Sequence, residues 1–186
     1  MHGVAAEWLG DKTARYAGRI TLNPLKHLDP VGSVFLPLML LLSSSPIFFA
    51  WAKPVPYNPY NLRPGRWSEA IVAGAGPASN LVIALLCGFI IRLGILGADI
   101  NSVLFLVVVM NVMLCLFNLF PIPPLDGSKV IMPLLPRGLA HSYGKLRASL
   151  EMNPIIGMMI ILLFVVGFGS SYSSFIYSIS RIFAGM

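Results

Sequence analysis

One carboxylate stands out for its setting. Asp126 lies in the stretch NLFPIPPLDG, Asn118 to Gly127, which closes a long apolar run. A charged side chain at mid-bilayer costs about 2.5–3.5 kcal/mol on insertion scales, so such residues usually face a cavity or a partner. Pro121, Pro123 and Pro124 bend the chain at the same depth and open backbone carbonyls, as a polar site in lipid requires. A plainer reading also fits: Leu-Asp-Gly-Ser before VIMPLL has the form of a helix N-cap on the cytoplasmic side. Asn118 stands one helical turn before the prolines, as a site-lining amide or a packing residue, and Asn111 invites the same two readings. A second polar point is Asn80, at the end of GAGPASN. The small residues from Gly74 to Ser79 let another helix approach closely, and Asn80 is a strong hydrogen bonder inside an apolar segment.

The three histidines are His2, His27 and His141. His141 lies in a basic segment and is expected to be exposed. His27 sits in the turn-rich LNPLKHLDP. His2 opens HGVAAEWLGD, whose alanines suit a tightly packed helix end stopped by Gly10.

The elements that must hold these residues are set by composition. Of 186 residues, 56% are hydrophobic and 11% charged, with a mean hydropathy of +0.80. Soluble domains carry roughly 25% charged residues, so the chain is expected to be one integral membrane domain. Its N-terminus has no apolar signal-peptide core. The net charge of +6 reads as cytoplasmic loops and not as a nucleic-acid surface. Cys87 and Cys115 sit inside apolar runs and read as packing residues.

Four uncharged segments stand out: Pro30 to Ala52, Ala70 to Ile91, Asn101 to Leu125 and Pro154 to Ser180. All reach the length of about 20 residues that a span needs. Basic residues cluster at Lys12 to Lys26, Lys53 to Arg66 and Lys129 to Arg147, which puts all three clusters in the cytoplasm. Pro30 to Ala52 then has two cytoplasmic flanks, and its Ser43-Ser44-Ser45-Pro46 run makes a turn. It is expected to be a re-entrant hairpin, against the alternative of a plain span. Thr13 to Leu22 is expected to form a small surface β element. Trp51 to Asn58, with Pro54 and Pro56, is expected to be extended and confined to a sheet edge. The fourth segment is one long span or a span followed by an interfacial helix. The fold class is thus an all-α polytopic membrane protein with about three transmembrane helices, a re-entrant apolar hairpin and a small membrane-surface β element. Its parts are 1–29, 30–68, 69–128, a cytoplasmic basic loop at 129–153, and 154–186.

Together these pieces resemble the site-2 protease family of intramembrane zinc metalloproteases. NLFPIPPLDG follows the family pattern N-x-x-P-x-P-x-L-D-G. GPASN follows G-P-x-x-N. HGVAAEWLGD is similar to the tail of H-E-x-x-H-x-x-x-A-x-x-x-G-D, with His2 as its second histidine. ITLNPLKHLDP and WAKPVPYNP resemble stretches of compact bacterial members without a PDZ domain. The resemblance covers almost the whole chain. It implies that His2 and Asp126 are ligands of Zn²⁺, and that Asn80, Asn118, Pro121, Pro123 and Gly127 line the site or bind substrate. In such a site two histidines and a carboxylate leave one metal position for water, and the glutamate of H-E-x-x-H is the general base. The implied partners are transmembrane protein substrates and the lipid bilayer, with no nucleic acid. The implied location is the bacterial cytoplasmic (inner) membrane.

One departure matters. With His2 in the fifth place of H-E-x-x-H, Met1 takes the fourth. The first histidine and the glutamate are then expected upstream of Met1, so no catalytic residue is present. A start codon set inside the motif explains this, and so does a true short pseudoprotease. The chain as it stands is expected to lack peptidase activity and to bind Zn²⁺ weakly. From other classes, a helix-binding membrane protein on the same scaffold and a small transporter subunit are the alternatives. A transporter is expected to show a repeat or paired broken helices, and the sequence has neither.

Overall fold

Prolines and glycines set the breaks in this chain. The computed structural model describes residues 1–21 and 55–186, with positions 23, 29, 35, 38, 39 and 42 between them. His27 and nearly all of the expected hairpin, Pro30 to Ala52, lie outside the described residues, as do Trp51 to Pro54. The described residues fall into two compact units, His2–Pro64 and Gly65–Met186.

In the first unit, α1 (His2–Trp8) and α2 (Thr13–Tyr16) meet through residues with almost no side chain. Ala6 and Ala14 are completely buried, and Leu9 and Leu62 nearly so. A β-carbon on Gly3 would lie 3.0 Å from Ala14 Cβ and 3.1 Å from Val55 Cγ1, so a larger residue there requires its neighbours to shift by a few tenths of an ångström. As expected, α1 stops at Gly10, whose φ of +110° is costly for any residue with a β-carbon. The expected β element is corrected at Thr13–Tyr16, which forms a helical turn. Asp11 supplies the physical reason. Its carboxylate accepts hydrogen bonds from the Thr13 N–H at 3.1 Å and the Thr13 hydroxyl at 2.5 Å, which starts a helix. Among the described residues every regular element is helical, and no strand is present.

The second unit is built on α3 (Ser68–Arg92), α4 (Ala98–Asn118) and α7 (Pro154–Ala184). At about 1.5 Å per residue, α3 and α4 are long enough for a hydrocarbon core of about 30 Å. Only 28% and 17% of their most apolar windows are buried. Leu86, Phe89, Val103 and Leu106 instead point outward. Such a surface suits lipid and not water. By length and composition, two helices among the described residues can cross a membrane, or three if the bent pair Arg137–Met152 and Ile155–Phe164 is one span. The fourth apolar segment is one continuous helix, α7.

Ala84, Ile91, Val108, Val112, Ile176 and Ala184 form the core between α3, α4 and α7. Phe120, Phe164 and Tyr172 extend it as a ring cluster, with centroids 4.3–6.2 Å apart. Gly88 lets α7 come close, since a β-carbon there would sit 2.7 Å from the Phe183 oxygen. Arg92 donates to the Phe183 carbonyl at 2.9 Å and to the Ile182 carbonyl. It thereby satisfies acceptors that the end of α7 leaves open. The segment expected as a basic loop contains a 16-residue helix, α6 (Arg137–Met152).

Candidate metal centre

The NLFPIPPLDG stretch is a helix end followed by a tight turn. Helix α4 stops at Asn118, seven residues before the apolar run itself ends at Leu125, because proline at 121, 123 and 124 cannot continue the ladder. The Asn118 amide donates back to the Leu114 carbonyl at 2.9 Å, and the Asn111 amide to Val107 at 2.9 Å. Pro123 is buried and is joined to Pro124 by a cis peptide bond. Pro121 is exposed. The short helix α5 (Gly127–Ile131) follows.

Asp126 stands at the N-cap position of α5, yet its side chain makes no capping hydrogen bond. The main chain does that work: the Asp126 carbonyl accepts from Lys129 at 2.9 Å and from Val130 at 3.0 Å. The cap reading therefore describes where Asp126 stands but not what its carboxylate does. Gly127 is the tightest position in the turn. A β-carbon there would overlap the carbonyl groups of Leu119 and Phe120, so the residue after Asp126 has to be glycine. The Ser128 hydroxyl, fully buried, donates to Leu125 at 2.7 Å.

Helix α3 comes up against this turn. A β-carbon on Gly74 would make ordinary contact with Val130, at 3.8 Å. Pro77 is buried inside α3, and the Ser79 hydroxyl donates to the Gly76 carbonyl at 2.7 Å. Asn80 is half-buried, one turn further along. The G-P-x-x-N helix and the L-D-G turn thus belong to one packed unit.

Of two residues missed in the sequence, one holds that turn and the other ties its helix to α3. The Tyr143 hydroxyl on α6 donates to the Pro121 carbonyl at 2.9 Å. Burial pushes the Tyr143 phenol above its ordinary pKa, against the opposing influence of Arg147 and a hydrogen bond with Ser128. Arg147, one turn on, makes a two-point contact with Glu69 in the first turn of α3, one bond being 3.1 Å, and reaches Glu151 at 2.9 Å. Burial opposes the Arg147 charge, but Glu69 and Glu151 outweigh it and raise its pKa. The signal in sequence was the pairing of Tyr143 and Arg147 four residues apart, which a helix places on one face. His141 is exposed, as expected.

In the other unit His2 is the first residue of α1 and is half-buried. Shortly after this helix stands Asp11, a third residue that the sequence did not single out. Asp11 is completely buried. Besides Thr13 it accepts from the Asn58 N–H at 2.7 Å and the Asn61 amide at 3.1 Å. Burial alone would raise its pKa; the bonds from Thr13, Asn58 and Asn61 outweigh that and lower it below 3.8.

Two curated proteins are similar to this chain. "Putative zinc metalloprotease YwhC" of Bacillus subtilis is 35% identical over 158 residues, covering 77% of this chain and 68% of that protein. "Putative zinc metalloprotease Rip2" of Mycolicibacterium smegmatis is 32% identical over 140 residues, covering 72% of this chain and 51% of that protein. No family model and no solved structure matches. The chain belongs to the family of these zinc metalloproteases, the site-2 protease family that its motifs resemble. Both relatives are named as zinc enzymes.

An imidazole and a carboxylate are ligand types that Zn²⁺ accepts, and His2 and Asp126 supply one of each. Among the described residues no three His, Cys, Asp or Glu side chains come together around a metal position.

Proposed function

We propose that this chain belongs to an intramembrane zinc metalloendopeptidase that cuts transmembrane segments of other membrane proteins. The observation that carries the reading is the construction of the L-D-G turn. Asp126 holds a cap position without capping, Gly127 is pressed against two carbonyls, and the G-P-x-x-N helix packs beside them. A plain helix start needs none of this. In this reading His2 and Asp126 are zinc ligands. Asn80, Asn118, Pro121, Pro123 and Gly127 line or shape the site.

The basic clusters face the cytoplasm of a bacterial inner membrane, and Pro30 to Ala52 enters and leaves on that side. Reporter fusions at Ile20 and Asn61 then report the same side of the membrane, and opposite sides would rule the hairpin out. The extended segment around Val55 to Asn58 pairs with an unwound substrate by strand addition. Proline or charge substitutions at Val55 and Tyr57 that leave cleavage unchanged would remove that role.

A second reading is a pseudoprotease that binds helices without cutting. Translating the DNA upstream of codon 1 separates the two. An in-frame apolar stretch ending in His-Glu and two more codons, the second being Met1, supports the protease. A stop codon there supports the pseudoprotease.

A further inference from the structure

The protease reading leaves one buried acid without a task. Asp11 is fully buried and is the meeting point of two stretches almost fifty residues apart in sequence. It receives the Asn58 main-chain N–H and the Asn61 side chain on one side, and the Thr13 N–H and hydroxyl on the other. Three further contacts run along the same seam. The Arg63 N–H donates to the Leu9 carbonyl at 2.7 Å. A β-carbon on Gly10 would stand 3.2 Å from the Asn61 oxygen, and one on Gly3 3.1 Å from Val55. Val55 therefore lies against the residue that follows His2.

Within this segment a short 3-10 helix, Pro59–Asn61, follows Asn58. Asn58 is extended, with φ −110° and ψ 111°, and precedes Pro59. Val55 precedes Pro56 and is pushed to extended backbone by it. The Asp11 bonds are charge-assisted, the stronger kind, and grip the segment at Asn58 and Asn61, between its Val55 and Arg63 contacts, so their loss frees the stretch before Pro59 to shift.

We infer that Asp11 is a positioning residue that fixes the Val55–Arg63 segment on the His2 helix and so sets the register in which that segment pairs with substrate. The inference rests on the protease reading and on strand addition at Val55 to Asn58. Register has a distinctive signature. Side chains alternate with a period of two along a strand, so a slip by one exchanges the faces and a slip by two restores them. Loss of the anchor moves the cut by two residues or divides it among neighbouring bonds. General loss of stability lowers every product together and leaves the scissile bond where it was.

The test uses the enzyme in membranes, expressed with a complete H-E-x-x-H motif, and a transmembrane reporter whose products are mapped by mass spectrometry. Asp11→Asn keeps one acceptor oxygen and loses the charge. Asn61→Ala is the milder variant and removes one of the four bonds. Amide exchange at Asn58 is followed in the same samples. Expected are at least tenfold faster exchange at Asn58 in Asp11→Asn and a displaced or divided cut, with a smaller displacement in Asn61→Ala. An unchanged scissile bond in both variants, or unchanged exchange at Asn58, overturns the inference while leaving the protease reading intact. No cleavage by wild type under conditions where Asn58 is protected overturns the protease reading, and with it the register role of Asp11.

Discussion

The Tyr143 hydroxyl donates to the Pro121 carbonyl at 2.9 Å, which ties helix α6 to the proline turn five residues before Asp126. A segment that sequence reads as a basic loop thus holds the turn on which the proposed metal ligand sits.

Tyr143→Phe removes this bond together with the hydroxyl's interaction with Ser128. A hydrogen bond of this kind contributes about 0.5–1.5 kcal/mol net, so denaturant unfolding in detergent is expected to show a loss of that size. In the active enzyme, kcat is expected to fall while KM holds, because the turn and not the substrate contact is loosened.

Arg147 and Glu69 are expected to act as a coupled pair. Their side chains are 14% and 31% exposed, well below the exposure of ordinary surface ion pairs. A double-mutant cycle of Arg147→Ala and Glu69→Ala should give a coupling energy of about 1–2 kcal/mol. A coupling near zero would mean that α6 is held to α3 by other contacts.

Gly127→Ala and Gly74→Ala make a matched comparison. The first drives a methyl group into the Leu119 and Phe120 carbonyls, and the second places one in ordinary contact with Val130. Overpacking costs about 1–3 kcal/mol, and more where the obstacle is backbone. Thermal unfolding is expected to show Gly127→Ala strongly destabilised and Gly74→Ala close to wild type.

Asp11 gives the pH dependence. Its folded pKa lies below the unfolded value of 3.8, so the unfolded state takes up its proton first as pH falls. The stability it contributes is fully present above that unfolded value and is lost as pH drops through the folded pKa. Unfolding of wild type and Asp11→Asn between pH 7 and pH 2 checks this. The gap between them should be constant at the upper end and close only below about pH 4. A gap that closes near pH 6 would point to another group.

Much of this was legible because it depends on local rules. Gly10 ends α1 where glycine and packed alanines predict it. The prolines end α4 at Asn118, and two apolar runs became α3 and α4 with apolar side chains facing outward. What was missed depends on distance along the chain. Nothing local to Asp11 announces Asn58 and Asn61, and Thr13 turned helical where its composition suggested a strand. Tyr143 and Arg147 were read as part of a charged loop because their partners, Pro121 and Glu69, lie 22 and 78 residues away. The fourth apolar segment was ambiguous because serines and aromatics fit both an interface and a span; α7 continues through them as one helix.

The central claim is that Asp126 is a ligand of a catalytic zinc. Its most direct test is cleavage of a transmembrane reporter by the enzyme with a complete H-E-x-x-H motif, compared with its Asp126→Asn variant and with the 186-residue chain. Cleavage by the first alone, reduced at least about 100-fold in the variant and absent from the 186-residue chain, is the predicted result. Equal cleavage with and without the Asp126 carboxylate, or robust cleavage by the 186-residue chain, would contradict it.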